Sequence, residues 1–398
     1  DLVIRGAALG TSRAGGLALT GTNAVARLDA RTADAALTFA QAGGFAVVQA
    51  DAGEGDVTLG SGGIISGGGV VAGTLTVRDA ALDLTDGRAG GLDISGTNVI
   101  ARLDARTDNA ALAFAQTKGF DVLQANARTG AGLGAGDAGG AVELVATNAD
   151  SVLLVRADGH VQGGSIRLQA GAELSLLGPV LSVAPPLDFA QGHITLATTA
   201  ADGRIVQGAG GTVTAADARS IVMTADVLTL AANMSAGASG LVEFNRLSPG
   251  RITIGLGGPG ATAFNPAELA TFLGTGHLRL VASQAVQVLA DLTRTTGELT
   301  LRATSATGTT IAVNAAVNAG ANPVNLETPG GILGIGVITT SNLVARGDGD
   351  LLSRAGSVNL TGDNQAVRLN ARTDGGDIAF RNAANLRVTR IDALGGTG

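Results

Sequence analysis

Residues 21 to 50 read GTNAVARLDARTADAALTFAQAGGFAVVQA, and residues 96 to 125 read GTNVIARLDARTDNAALAFAQTKGFDVLQA. A looser third copy, GDNQAVRLNARTDGGDIAFRNAANLRVTRI, occupies 362 to 391. A phrase written nearly twice and echoed again points to architecture, because repeats mark units that cannot bury their own apolar face and must stack on neighbours. Inside each copy two or three apolar positions alternate with polar ones and end at Gly, Asn, Asp or Thr. That is the period of a strand with one buried face.

Outward from the phrase the same alternation recurs: Leu17 and Leu19, Leu37 and Phe39, Val57 and Leu59, Leu75 and Val77, Leu92 and Ile94, Leu112 and Phe114. Successive pairs are 20, 20, 18, 17 and 20 residues apart. A period near twenty built of short strands and Gly or Asn corners predicts an all-β parallel β-helix (β-solenoid) of roughly 20-residue coils, continuous over 1–398. Repeat phrases then fall at 15–50, 90–125 and 356–391, and the 75-residue echo is about four coils. A β-sandwich would also alternate, but it requires neither the period nor the echo. One segment, 249–281, breaks the rhythm: Asn265, Pro266 and Glu268 are spaced as a capping box and predict a short helix near 265–273.

Composition fits a thin interior. The 398 residues include 62 Gly but 8 Pro, which excludes collagen, and nine Phe with no Trp or Tyr, so the core is aliphatic. Cysteine is absent, which excludes disulfides and thiolate metal sites and fits a reducing compartment or an exported chain. A net charge of -7, with Lys118 the single Lys and the arginines scattered, argues against a nucleic-acid partner. No apolar run is long enough for a membrane-spanning helix. The chain opens on DLVIRG, already strand-like and without initiating Met or signal peptide, and reads as a processed product or a piece of something longer.

Within the phrase, Asn23, Asn98 and Asn364 follow a strand and a Gly, where Asn tolerates left-handed backbone and can bond its own turn. Arg27 and Arg31, Arg102 and Arg106, Arg368 and Arg372 flank Leu28, Leu103 and Leu369 in alternation. The leucines are expected inward and the arginines outward.

The phrase VNLTGDNQAVRLNARTDGGDIAFRNAANLRVTRI, with the block ITIGLGG and NPAELATFLGTGHLRLVA, resembles the secreted exoproteins of the filamentous haemagglutinin family. The resemblance implies a right-handed parallel β-helix exported through an outer-membrane β-barrel transporter by two-partner secretion. It further implies a place at the cell surface of a Gram-negative bacterium, as an adhesin rod, a filament or the stalk of a contact-dependent toxin. The partners so implied are that transporter and a host or neighbouring cell surface. Open solenoid ends add a third, other copies of the chain end to end. The family's N-terminal secretion domain is not recognisable in this sequence.

Residues that could carry chemistry are few. Asp51, Glu54 and Asp56, and Asp348 and Asp350, could serve a carbohydrate-active β-helix enzyme, but Gly-spaced acids read as turns and the aromatic sugar platforms are missing. Calcium at Asp374 and Asp377 lacks the repeated nonapeptide, and His160, His193 and His277 lack metal spacing. The run GAGDAG at 134 to 139 matches a dinucleotide fingerprint by letter with no helix after it. Arg346, Gly347 and Asp348 spell a tripeptide that some adhesins present to receptors. No catalytic, metal or cofactor residue is assigned, and the expected function is a non-enzymatic structural segment.

Overall fold

The structure, a computed structural model, describes residues 1–4, 14–128, 139–184, 192–255, 261–272, 276–294, 296–307, 309–347 and 353–394. It falls into two compact units, Asp1–Ala216 and Asp217–Gly398. The fold is all-β, its ladders are parallel, and among the described residues the only helix has four residues.

In the first unit Leu17 faces Leu37, Leu37 faces Val57 and Val57 faces Leu75. The steps of 20, 20 and 18 residues are therefore hydrogen-bonded registers. This inward column continues through Leu103, Val122, Val155 and Leu176. A second column runs Leu28, Val47, Gly67, Ile94, Phe114, Leu144, Leu168 and Leu196. Apart from half-buried Leu17 and exposed Gly67, the side chains of both are buried, as period-two alternation demands of a sheet with one covered face. Phenylalanine fills the wider points: Phe39 and Phe45 meet edge to face at 4.9 Å, and Phe114 and Phe120 at 5.2 Å.

The expected four-coil echo is corrected by this register. Leu75 faces Leu103, whereas Leu92 faces Ile65 and Leu112. The first copy thus places Leu17 and Leu37 in one column with Leu28 and Val47 in the other, and the second copy exchanges them. Arg27 lies in line with Ala46, Ser66 and Asp93, whereas Arg102 lies in line with Thr74, two residues before the row of Thr76, Thr58 and Thr38, so the two arginines stand in different columns. The physical cause is the strand Val70–Arg78, which begins against Ala50 and Asp51 and ends against Val57 to Gly60, followed by turns in residues 79–90. Residues spent in turns add length without adding a rung.

Each copy also carries a β-bulge, after Leu28, Leu103 and Leu369. Val48, Leu123 and Thr389 are the extra residues. A single extra residue flips the alternation. That keeps Phe45, Val47 and Ala50 all buried while Val48 is 43% exposed.

Among the described residues the second unit has two long parallel ladders besides a shorter one through Leu292, Val317 and Ile338. One runs Ile221, Val242, Leu278, Leu299, Val324, Leu343, Leu369 and Val388. The other runs Ile252, Val286, Ile311, Ile332, Val358 and Ile378. The helix at Pro266–Leu269 has the expected capping box: Glu268 N–H donates to Asn265 Oδ1 and Asn265 N–H to Glu268 Oε2, both at 2.9 Å. It is one turn, shorter than the predicted 265–273, because Thr271 Oγ1 takes up the Glu268 carbonyl at 2.7 Å and buried Leu269 and Phe272 tie the segment down.

Candidate functional site

The recurring polar residues of the phrase go mostly to backbone. Asn23 Nδ2 donates to the carbonyls of Leu19 and Ala40, and Asn98 Nδ2 to that of Ala115 while its Oδ1 accepts from Val70 N–H. Asn364 Nδ2 donates to Leu360, Gly362 and Arg381 carbonyls, and its Oδ1 accepts from Ile338 N–H. One amide thus joins its own turn to adjacent strands. Gln41, Gln116 and Asn382 do likewise, each accepting from and donating to one backbone residue sixteen positions back, at Val25, Ile100 and Ala366. Positive φ is found not at these asparagines but at Gly21 and Gly96 just before two of them, and at Asp34, Asn109 and Gly375 in the turn closed by Thr32, Thr107 and Thr373 hydroxyls.

The rim of the phrase is more varied. Arg27, Arg102 and Arg368 are exposed as expected. Arg31, Arg106 and Arg372 are not, and Arg372 is only 2% exposed, which corrects the expectation that all six point into solvent. The reason is the preceding segment: Ala14, Ala89 and Ala355 bridge to Thr32, Thr107 and Thr373 and bring a covering strand of chain over these arginines. In the third copy that segment brings Arg354 within 3.0 Å of Asp392, which also meets Arg390 at 3.1 Å and Arg372 at 3.5 Å. In the second copy it brings Arg88 to 3.2 Å from Asn126 Oδ1.

Around Arg88 and Asn126 the first unit gathers several cationic side chains. Arg106 Nε donates to Gln124 Oε1 at 2.7 Å, and Gln124 Nε2 lies 3.0 Å from His160 Nε2. Arg78, almost fully buried, holds Asp104 at 2.6 Å. Burial, then the neighbouring charge of Arg106, lowers the Arg88 guanidinium from its ordinary value, and burial followed by Arg78 does the same to Arg106. His160 is pushed down by burial and next by Arg106.

The second unit has a mixed polar ladder. Arg279 meets Glu243 at 3.1 Å, and His277 lies 2.8 Å from Thr300 Oγ1 and 3.3 Å from Glu298. Burial lowers the His277 pKa despite the opposing pull of Glu298.

Other residues singled out by sequence stay apart. Asp51 accepts the Gly53 N–H within its own turn, while Asp56 accepts the Thr74 N–H and Asp34 the Glu54 N–H across 18 and 20 residues, all structural bonds to backbone. Arg346 is held 2.6 Å from Glu327, and Gly347 lies so close to the Arg354 backbone that a Cβ would come within 2.3 Å of its nitrogen. Asp348, Asp350 and all but the last residue of GAGDAG lie outside the described residues. Asp374 and Asp377 are exposed, and no group of three or more His, Asp or Glu among the described residues is placed to hold a metal. Sequence reasoning missed Arg88 and Arg354, although each precedes its copy in the same way, as RAGG and RAGS.

Comparison with protein-family models, curated proteins and solved structures finds no match to this chain.

Proposed function

We propose that the chain is a non-enzymatic segment of a secreted surface exoprotein of the filamentous haemagglutinin type. In this reading a right-handed β-solenoid serves as an adhesin rod or filament, exported through a two-partner transporter and displayed outside a Gram-negative cell. The observation that carries it is the stepping of matched aliphatic residues from strand to parallel strand, with the recurring Asn and Gln side chains given to backbone. A repeat whose shared buried residues serve stacking suits reach and rigidity. Lack of Cys suits a chain that crosses a pore unfolded. Negative-stain micrographs of the purified chain are expected to show elongated particles of uniform width, and compact globules would overturn the proposal.

A second reading, a carbohydrate-active β-helix enzyme, draws on the ladder of Glu243, His277, Arg279 and Glu298. Turnover of polyuronates or neutral glycans, lost in Glu298→Gln, would decide for it.

A further inference from the structure

We propose that Arg88 and Arg106 form a binding site for a ligand carboxylate, beside the neutral amide that stands where the third copy of the phrase supplies its own carboxylate. The inference stands apart from export and surface display.

The three copies put one residue at a fixed register, opposite the covered arginine: Arg31 faces Asp51, Arg106 faces Asn126 and Arg372 faces Asp392. In the third copy Asp392 sits between Arg354, Arg372 and Arg390. The second copy keeps the first two arginines as Arg88 and Arg106 but replaces the carboxylate by the amide of Asn126. That amide accepts from Arg88 and from the Arg128 backbone N–H, and it brings no charge. Arg106 spends its Nε on neutral Gln124 and an Nη1 donor on the Thr85 carbonyl.

Among the described residues neither Arg88 nor Arg106 meets a carboxylate at ion-pair distance. Asp104, the nearest candidate by register, is taken by Arg78. Asp83, Asp86 and Asp108 act only as surrounding charge and are exposed. Both residues are half-buried, and no unpartnered nitrogen of Arg88 or Arg106 is fully buried. Two half-buried guanidiniums with free donors match a carboxylate's two oxygens, and such charge-assisted contacts are the strong ones. Burial first, then a neighbouring arginine, lowers both guanidiniums, and an arriving negative charge acts against both causes. His160 Nε2 accepts from Gln124 Nε2 and so fixes the amide whose Oε1 holds Arg106.

The carboxylate could belong to an acidic peptide side chain or to a sugar acid, and the test separates the two. The full chain is titrated by NMR with a capped Glu tripeptide, its Gln counterpart, a galacturonate trisaccharide and inorganic sulfate, following the arginine side-chain resonances. The Glu peptide or the uronate is expected to shift Arg88 and Arg106 saturably, and the Gln peptide is not. Asn126→Asp, which restores the carboxylate of the other copies, is expected to weaken binding about tenfold or more with the melting curve intact, as is Arg88→Gln. The reciprocal Asp392→Asn is expected to create a second site of the same preference. Equal binding of the Glu and Gln peptides, response to sulfate alone, no response to either carboxylate, or unchanged affinity in folded Asn126→Asp would each overturn the proposal.

Discussion

The second and third copies of the phrase agree where they are buried and differ where they are covered only in part. Leu103 and Leu369, Ala105 and Ala371, Thr107 and Thr373, Asn98 and Asn364 are the same residues in the same register positions, all within 1% of full burial. At the rim, Gln124 and Asn126 stand where Arg390 and Asp392 stand, so an amide pair replaces a charged pair as a set. The difference teaches that the repeat has two layers of constraint. Packing and backbone satisfaction fix the inside, because a methylene or an amide misplaced there has no alternative partner. The rim can change its charge without changing the fold, and that freedom is where recognition can reside.

The largest effect expected is on the shared interior. Leu103→Asp and Leu369→Asp each put an unpaired charge into an aliphatic column, a class of change that costs more than about 4 kcal/mol. Loss of cooperative melting by circular dichroism checks it. The two need not be equal: Leu103 is stacked between Leu75 and Val122, both fully buried, whereas beyond Leu369 lies Val388, 51% exposed. The second-copy variant is expected to be the more damaging.

Next in size come the asparagines. Asn98→Ala leaves the Val70 N–H and the Ala115 carbonyl without their partners at 2.9 and 2.8 Å, and Asn364→Ala strands the Ile338 N–H in the same way. At about 1 to 3 kcal/mol per orphaned buried group, losses of about 2 to 4 kcal/mol are expected in denaturant melts. Asn23→Ala should cost less, since Asn23 is only half-buried. Equal losses at all three would show that burial does not set the cost.

How much of this was legible in the letters depends on what each feature needs. Alternation and the steps from Leu17 to Leu75 were legible because a strand's period of two writes itself into sequence whenever one face is covered. The exchange of columns between copies was not, because nothing in the letters of 79–90 tells a turn residue from a rung residue. Burial of Arg372 was equally hidden: its parity is outward, and only the bridge from Ala355 to Thr373 shows what lies over it. The site at Arg88 needed both kinds of information, the alignment of Asp51, Asn126 and Asp392 and the segment that folds back over Arg106.

Acid should separate the two rims. The His160 pKa is lowered by burial, so the unfolded chain, titrating near about 6.5, takes up its proton first. Stability tied to His160 is therefore lost as pH falls below about 6.5 and stops changing once the folded imidazole also protonates. Burial would raise the Asp392 pKa, but Arg390, Arg354 and Arg372 outweigh it and hold it low. Its contribution is present above about pH 3.9 and disappears only as pH falls through the lower folded value. Melting His160→Gln and Asp392→Asn across this range should flatten the first slope in one variant and the second in the other. A shared response would mean that the rims do not act separately.

The smallest effect is the one that tests inside against outside. Arg27 alternates with buried Leu28, is 56% exposed at its side chain and, among the described residues, forms an ion pair only with Asp1, at 3.8 Å. An exposed pair of that kind contributes about 0 to 1 kcal/mol, because water and salt screen it and two long side chains lose freedom to hold it. Arg27→Ser is therefore expected to leave the melting temperature almost unchanged, and Arg102→Ser and Arg368→Ser likewise. Arg372→Ser is expected to behave differently although its letter and parity are the same, since it would strip a contact from Asp392 and open space beneath the segment bridged by Ala355. If Arg27 proved as sensitive as Arg372, exposure would not be what divides the arginines of this phrase, and the rim would have to be counted as part of the core.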